Sequence, residues 1–251
     1  MFDVAAEAYD SYMGRYSIPL APLFCDFAGV AGAGRVLDVG CGPGALIGEL
    51  VRRVDASAVT AVDPSEPFVS AARERHPGVD VRRASAEALP FPDHHFDATL
   101  AQLVVHFMHD PIAGLGEMAR VTRPGGVVAA CVWDHGGGEG PLSPFWHVAR
   151  ELDPAVVDES RLAGARQGHL AELLEEVGLK DVEEGLLTVR VEHASFEEWW
   201  EPFTFGVGPA GAYLAALDDD HRLRLRERCR EAAPAGSLTV TARAWAARGL
   251  V

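Results

Sequence analysis

Positive charge is scarce in this sequence. Its 251 residues include 22 Lys and Arg against 37 Asp and Glu, so the formal net charge is −15. Nucleic acids bind basic surfaces, so this balance argues against a nucleic acid as the main partner. The chain has a single lysine, Lys180, which excludes the Tyr-x-x-x-Lys pair that a short-chain dehydrogenase needs. A small neutral or cationic molecule fits the charge better.

Cysteines and long apolar runs are also few. The four cysteines are scattered without C-x-x-C spacing, so we expect neither a metal site nor a disulfide framework. The longest apolar run, around residues 127–133, is too short to cross a bilayer. Because the first ten residues carry acids where a signal peptide carries bases, we expect a cytoplasmic protein with no membrane partner.

A buried strand, a glycine turn and a helix follow one another early in the chain. Residues 36–44 read VLDVGCGPG, and residues 45–53 have helical spacing. This order is typical of the first unit of a Rossmann-like fold. Gly40, Gly42 and Ala45 also satisfy the permissive G-x-G-x-x-G/A pattern of dinucleotide enzymes, and Asp63 follows as a ribose-binding acid would. An NAD-dependent oxidoreductase is therefore one open alternative.

One acidic residue separates the possible ligands of this turn. Asp38 lies two residues before the first glycine, where its carboxylate would repel a pyrophosphate at the helix N-terminus. A positively charged ligand would instead be stabilised there. The sequence therefore favours a cationic ligand without phosphate.

Strands and helices alternate along most of the chain. Further strands are expected at residues 58–63, 80–85, 96–105 (running into a helix), 126–133, 186–193 and 237–248, with helices between them. This alternation predicts an α/β fold, with a Rossmann-like seven-stranded, mostly parallel sheet and helices on both faces. A small helical lid is expected before the last strand, over the edge of the sheet where ligands bind.

The whole chain, residues 1–251, is expected to form one domain. We expect an N-terminal helical segment over the cofactor at 1–34, a cofactor-binding core at 35–134, helices and the sixth strand at 135–193, the lid at 194–233 and the last strand at 237–248. The length suits one α/β domain with a small addition and leaves little room for a second domain.

Four sequence blocks, in order, resemble those of a known family. They read VLDVGCGPG, VDPSEPFV, SAEALPFPDHHFD and EMARVTRPGG, beginning at residues 36, 62, 85 and 117. With them the chain resembles the class I S-adenosylmethionine (SAM)-dependent methyltransferases, most of all the branch with the ubiquinone and menaquinone biosynthesis enzymes. The resemblance implies methyl transfer from SAM to a small-molecule acceptor, leaving S-adenosylhomocysteine. The methylated atom stays open, because O-, N- and C-methylation are all compatible with it. A homodimer and a non-catalytic SAM-binding protein also stay open.

The resemblance also implies a cofactor site. Asp38 would lie near the ammonium and sulfonium groups of SAM, and Asp63 would bind both ribose hydroxyls. Ser85 stands where relatives usually have an aspartate, so Ser85 or a water would bind the adenine amino group. The other cofactor contacts would come from the glycine turn, the start of the next helix, the adenine edge and the end of the fourth strand: Gly40, Cys41, Gly42, Pro64, Phe68, Ala86, Glu87 and Gln102.

Three further sets of residues each have two interpretations. Arg15 would clamp the SAM carboxylate with its planar guanidinium, or it is a solvated arginine on a helix that packs on the sheet. His106 would be the general base for a hydroxyl acceptor, or it lines the pocket. The aromatic residues of the second half, Trp133, Trp146, Trp199 and Trp200, belong to the core or to the walls of a pocket for an apolar or aromatic acceptor.

Overall fold

Seven strands form one sheet at the centre of the molecule. The structure is a computed structural model in which residues 9–30, 32 and 34–251 are described, so residues 1–8, 31 and 33 of the expected N-terminal segment lie outside the described part. The strands are Val36–Val39 (β1), Val59–Asp63 (β2), Asp80–Arg83 (β3), Phe96–Gln102 (β4), Thr122–Trp133 (β5), Lys180–His193 (β6) and Leu238–Leu250 (β7). They lie side by side in the order β3-β2-β1-β4-β5-β7-β6.

The pairing is mostly parallel. The first five strands pair in parallel, and β7 runs antiparallel between β5 and β6. Right-handed crossovers between parallel strands bring their carboxyl ends to one edge of the sheet, where α/β proteins bind ligands. The predicted α/β fold with a seven-stranded, mostly parallel sheet is confirmed.

Helices connect the strands. They are Arg15–Ala28 (α1), Ala45–Arg53 (α2), Glu66–Arg75 (α3), Pro111–Val121 (α4), Ser143–Leu152 (α5), His169–Glu176 (α6), Phe196–Trp200 (α7), Gly208–Ala216 (α8) and Asp219–Ala232 (α9). A π-helical turn, Asp10–Gly14, leads into α1. Within the described residues, no helix has the length and apolar character needed to cross a membrane.

The sheet separates two hydrophobic clusters. Val36 belongs to one cluster and Leu37 to the other, because successive side chains of a strand point to opposite faces. All four residues of β1 are buried, as is typical of a central strand in a parallel sheet. This burial fixes the position of the loop that follows β1.

The helices between β6 and β7 are packed into the core. Trp199, Trp200 and Phe203 are buried, and the ring of Phe203 stacks on Phe145 of α5 with centroids 4.7 Å apart. Removing residues 194–233 would expose this aromatic cluster, so we expect such a deletion to destabilise the fold, while the lid stays a prediction. Trp199 and Trp200 are therefore packed as core residues, which is the first of the two interpretations given for them.

Two strands begin earlier than the sequence indicated. β5 starts at Thr122, four residues before the expected start, and so includes Pro124 and Gly125. Its register with β4 shifts at this end of the strand, between Phe96 and Ala98. β6 starts at Lys180, and its first residues are mostly exposed, so this edge strand shows no apolar alternation there. β4 ends at Gln102 and leads into a short 3₁₀ turn, Val105–Phe107, where a helix was expected.

Candidate functional site

A cavity of about 570 Å³ lies at the carboxyl ends of the central parallel strands. This is the edge where open α/β sheets bind ligands, and the volume falls within the roughly 300–1,000 Å³ of small-molecule sites. Eight of the residues predicted to bind the cofactor line it: Gly40, Gly42, Asp63, Pro64, Phe68, Ser85, Ala86 and Glu87.

The loop after β1 brings its backbone to this cavity. Gly40 and Gly42 have φ angles of 73° and 53°, in the left-handed region that glycine adopts without steric cost. The amides of Gly40 and Cys41 both donate to the carbonyl of Val62, at 2.8 and 2.9 Å. These bonds tie the loop to the end of β2.

The two glycines differ in the space around them, which gives a testable prediction. A Cβ on Gly40 would lie 2.5 Å from side-chain carbons of Val104, whereas one on Gly42 would meet nothing within 4 Å. Both Gly→Ala substitutions cost about 1–2 kcal/mol for the left-handed backbone. Gly40→Ala should lose a further ~1–3 kcal/mol to overpacking. Thermal unfolding of the two variants measures this, and equal melting temperatures would contradict the contact.

The first of two acids beside the loop has no partner. Asp38 is 1% exposed, and neither carboxyl oxygen has a hydrogen-bond partner among the described residues. Burial, with a smaller effect from the charge of Asp63, raises the pKa of Asp38 well above its usual range. A buried acid without a partner is costly. Asp38 is therefore suited to a positively charged ligand group.

The second acid, Asp63, ends β2 and lines the cavity. Its Oδ2 accepts the amide of Gly42 at 2.9 Å, and its Oδ1 accepts the amide of Ser65 at 2.8 Å. Burial raises the pKa of Asp63, and these two hydrogen bonds oppose the shift. Because the Gly42 amide is occupied and a carboxylate lies beside it, the loop is a poor site for a pyrophosphate. A carboxylate here is a good acceptor for hydroxyl groups.

Aromatic and small residues form another part of the wall. Phe68 of α3 packs edge-on against Tyr9, with ring centroids 5.3 Å apart, and both rings line the cavity. Glu87 also lines it, but its Oε1 accepts the amide of His109 at 2.8 Å and so holds the loop before α4. An aromatic surface of this kind suits a flat heterocycle such as adenine.

Two predicted cofactor residues have protein partners in this structure, and their contacts with the cofactor stay predictions. Arg15 pairs with Glu198 at 2.5 Å and lies 3.3 Å from Nδ1 of His193. Gln102 is buried and donates to the carbonyl of Ser17 at 3.0 Å, so it joins β4 to α1. Neither residue lines the cavity. The other two predicted residues outside the wall, Asp38 in β1 and Cys41 in the loop after it, are buried.

A second cavity, of about 30 Å³, adjoins the first. Tyr9, Leu103 and Phe107 line both cavities, so the two cavities adjoin at these residues. Leu103 has a φ of 63°, a left-handed conformation that is rare for a residue with a side chain. Backbone strain of this kind is concentrated at ligand sites.

His106 lines the second cavity and is 7% exposed. Its Nδ1 has no hydrogen-bond partner within the described ranges. Burial, with a smaller effect from His135, lowers the pKa of His106 well below its usual range. The imidazole is therefore neutral at pH 7, where it can accept a hydrogen bond but is a weaker base than a free histidine.

Glu159 lines the same cavity and was not singled out in the sequence. It is 3% exposed, and its Oε2 accepts the indole N–H of Trp146 at 2.8 Å. Burial raises the pKa of Glu159 to about 7. The acid and proline residues before it resemble a surface loop, so no local pattern indicated that this carboxyl is buried.

Comparison with known proteins agrees with the site. A family model described as "Methyltransferase domain" matches residues 37–130. Demethylmenaquinone methyltransferase of Renibacterium salmoninarum is 31% identical over 202 residues, which cover 72% of this chain and 83% of that protein. The chain therefore belongs to the SAM-dependent methyltransferase family, as the four sequence blocks indicated, and S-adenosylmethionine is the family's cofactor.

Solved structures share the fold. The YcgJ protein of Bacillus subtilis has a TM-score of 0.59 at 19% identity, covering 92% of this chain and 97% of that chain. Phosphoethanolamine N-methyltransferase 2 of Haemonchus contortus, solved with S-adenosylhomocysteine, has a TM-score of 0.58 at 17% identity, covering 99% of this chain and 57% of that chain.

Three other curated relatives are matched over only 54%, 31% and 50% of their own length.

Proposed function

We propose that this protein transfers the methyl group of SAM to a small molecule bound in the second cavity. The observation that most supports this function is the pair of adjoining cavities. One is lined by the glycine loop and Asp63, and the other is small and lined by buried polar and aromatic residues. A donor and an acceptor in the two cavities would come together beside Tyr9, Leu103 and Phe107, which line both.

The residues of the first cavity fit SAM. When bound, SAM supplies an electrophilic methyl group on a sulfonium sulfur. Asp63 would accept the ribose hydroxyls, and Phe68 would pack against the adenine. Asp38, which is buried just before the glycine loop and does not line the cavity, would favour a positively charged ligand. The second cavity would orient the acceptor.

The walls of the second cavity favour a planar acceptor with a polar group. Trp133, Leu142 and Val207 contribute apolar surface. The volume holds only about two water molecules. An acceptor would therefore enter when the segment between Gly206 and Pro209 moves, and both Gly206 and Gly208 have left-handed φ angles. The relative named for demethylmenaquinone supports a planar, quinone-like acceptor.

Two other functions compete with this one. An NAD-dependent oxidoreductase is disfavoured because Asp63 already occupies the Gly42 amide and Asp38 lies close to the loop. A non-catalytic SAM-binding protein would need the first cavity but would have no use for buried polar groups in the second. The second cavity therefore favours catalysis.

Calorimetric titrations with SAM, S-adenosylhomocysteine and NAD test the cofactor. We expect binding of both sulfur compounds and no heat from NAD at matched concentrations. Formation of S-adenosylhomocysteine with a panel of quinols, phenols and amines then tests turnover. Binding of NAD without binding of SAM would contradict the proposed function, and SAM binding without turnover on the whole panel would favour the non-catalytic alternative.

A further inference from the structure

Four polar side chains meet at the second cavity. Tyr12, His106, His135 and Glu159 line it, and each is between 3% and 7% exposed. Oη of Tyr12, Nδ1 of His106 and Nε2 of His135 have no hydrogen-bond partner in the part of the chain that the structure describes. Because buried polar atoms are ordinarily paired, this set points to a ligand that forms hydrogen bonds here.

Glu159 is held in place from two directions. Trp146 of α5 donates to its Oε2 at 2.8 Å. Asp158 accepts the amide of Ser160 at 2.9 Å, which caps the short turn Glu159–Arg161, and Asp158 also pairs with Arg150 of α5 at 2.6 Å. Among the described residues of the cavity wall, Glu159 has the one carboxyl group.

Burial acts in opposite directions on the acid and the imidazoles. It raises the pKa of Glu159 to about 7, with a smaller contribution from Asp158, and lowers the pKa of His135 to about 4. The pKa of His106 is lowered as well. A general base works best when its pKa is near the operating pH, so the carboxyl is better suited to this task than either imidazole.

We infer that the second cavity takes a compact phenol and that Glu159 accepts the proton of its hydroxyl group, an inference that rests on the proposed function. The O–H bond of the phenol breaks, and the proton goes to a carboxylate oxygen of Glu159. The phenol oxygen forms a bond to the methyl carbon, while the methyl–sulfur bond breaks and its electron pair stays on sulfur. Glu159 then releases the proton to solvent.

The remaining wall residues favour a phenol over other acceptors. The wall has no lysine or arginine among its described residues, so a phosphate or carboxylate acceptor would find no cation. A protonated amine would pair with the Glu159 carboxylate and would have to lose a proton before it could attack. Once the segment between Gly206 and Pro209 has moved to enlarge the cavity, a neutral aromatic ring would lie against Phe107 and Trp133, with its hydroxyl group toward the polar side chains.

A comparison of phenol with fluorobenzene separates the contribution of the hydroxyl group to binding from that of the ring. The two probes have nearly the same shape, and only phenol donates a hydrogen bond. On protein saturated with S-adenosylhomocysteine at pH 8, calorimetry should show phenol binding about ten-fold or more tightly than fluorobenzene, as expected for a hydrogen bond to a charged group. The Glu159→Gln variant retains a side-chain oxygen that can accept the indole N–H of Trp146. It should reduce the preference for phenol over fluorobenzene to less than about three-fold. Glu151→Gln, an exposed acid of α5, should leave it unchanged.

Anisole formation from phenol and SAM gives the second measurement. Glu159→Gln should lower kcat by about 10²–10⁴-fold, the usual value of general-base catalysis, with KM for SAM unchanged. The inference is overturned by no phenol binding in the wild type, by an equal phenol preference in both proteins, by no anisole from the wild type, or by a larger rate loss in His106→Ala. Each of these results leaves the proposed function standing, whereas failure of the wild type to bind S-adenosylhomocysteine overturns that function instead.

Discussion

Replacing Asp63 with alanine should weaken SAM binding by about 1.5–3 kcal/mol, or roughly 10- to 150-fold in Kd. The carboxylate ends β2, lines the large cavity and is the acceptor proposed for the ribose hydroxyls. Hydrogen bonds to a charged acceptor are stronger than neutral ones, and a buried site protects them from competition with water. Titration calorimetry with SAM on the variant and the wild type measures the change.

The control must separate a lost contact from a lost charge and from a damaged loop. Asp80→Ala removes the same charge from the exposed start of β3, where Asp80 pairs with Arg82, and should leave Kd within about two-fold. Asp63→Ala also leaves the amides of Gly42 and Ser65 without their acceptor, so the titration is run well below its melting temperature. An unchanged Kd would remove Asp63 from the cofactor site.

The parts of the site that could be predicted from the sequence are those set by local chemistry. A loop that turns sharply at a sheet edge needs glycine, and Gly40 and Gly42 indeed have left-handed φ angles there. An acid that directly follows a buried strand must lie at the carboxyl edge, and Asp63 does. The mostly parallel sheet followed from the alternation of strands and helices along the chain.

Residues whose partners lie far away in the sequence could not be predicted. Glu198, the partner of Arg15, is 183 positions away, and the backbone partner of Gln102 is 85 positions away. Spacing along the chain contains no information about such pairs, so the sequence could not show that Arg15 and Gln102 have protein partners. Glu159 is the clearest case, because a glutamate in an acidic, proline-containing stretch is usually solvated and only tertiary packing buries it.

Glu159→Gln should stabilise the folded protein in alkaline solution and change its stability little in acid. The pKa of Glu159 in the folded state, about 7, is above the ordinary value of 4.5, so the folded state binds this proton more tightly than the unfolded state does. The stabilisation from that proton is fully present below pH 4.5 and is lost as the pH rises through 7. Glutamine stays neutral throughout and can still accept the Trp146 indole N–H.

The gain in unfolding free energy of this variant over the wild type should therefore grow from near zero below pH 4.5 to about 3 kcal/mol above pH 8, since a tenfold change in proton affinity is worth ~1.4 kcal/mol. Chemical denaturation at a series of pH values measures it. Burial shifts the pKa values of Tyr12 and His135 in both proteins, so those effects cancel, whereas the interactions of Tyr12 and Asp158 with the Glu159 charge are part of the measured difference. Glu74→Gln, on the exposed face of α3, should give a flat difference. A flat difference for Glu159→Gln as well would mean that its carboxyl is solvated and charged in the folded state, with an ordinary pKa that makes it too weak a base for the proposed step.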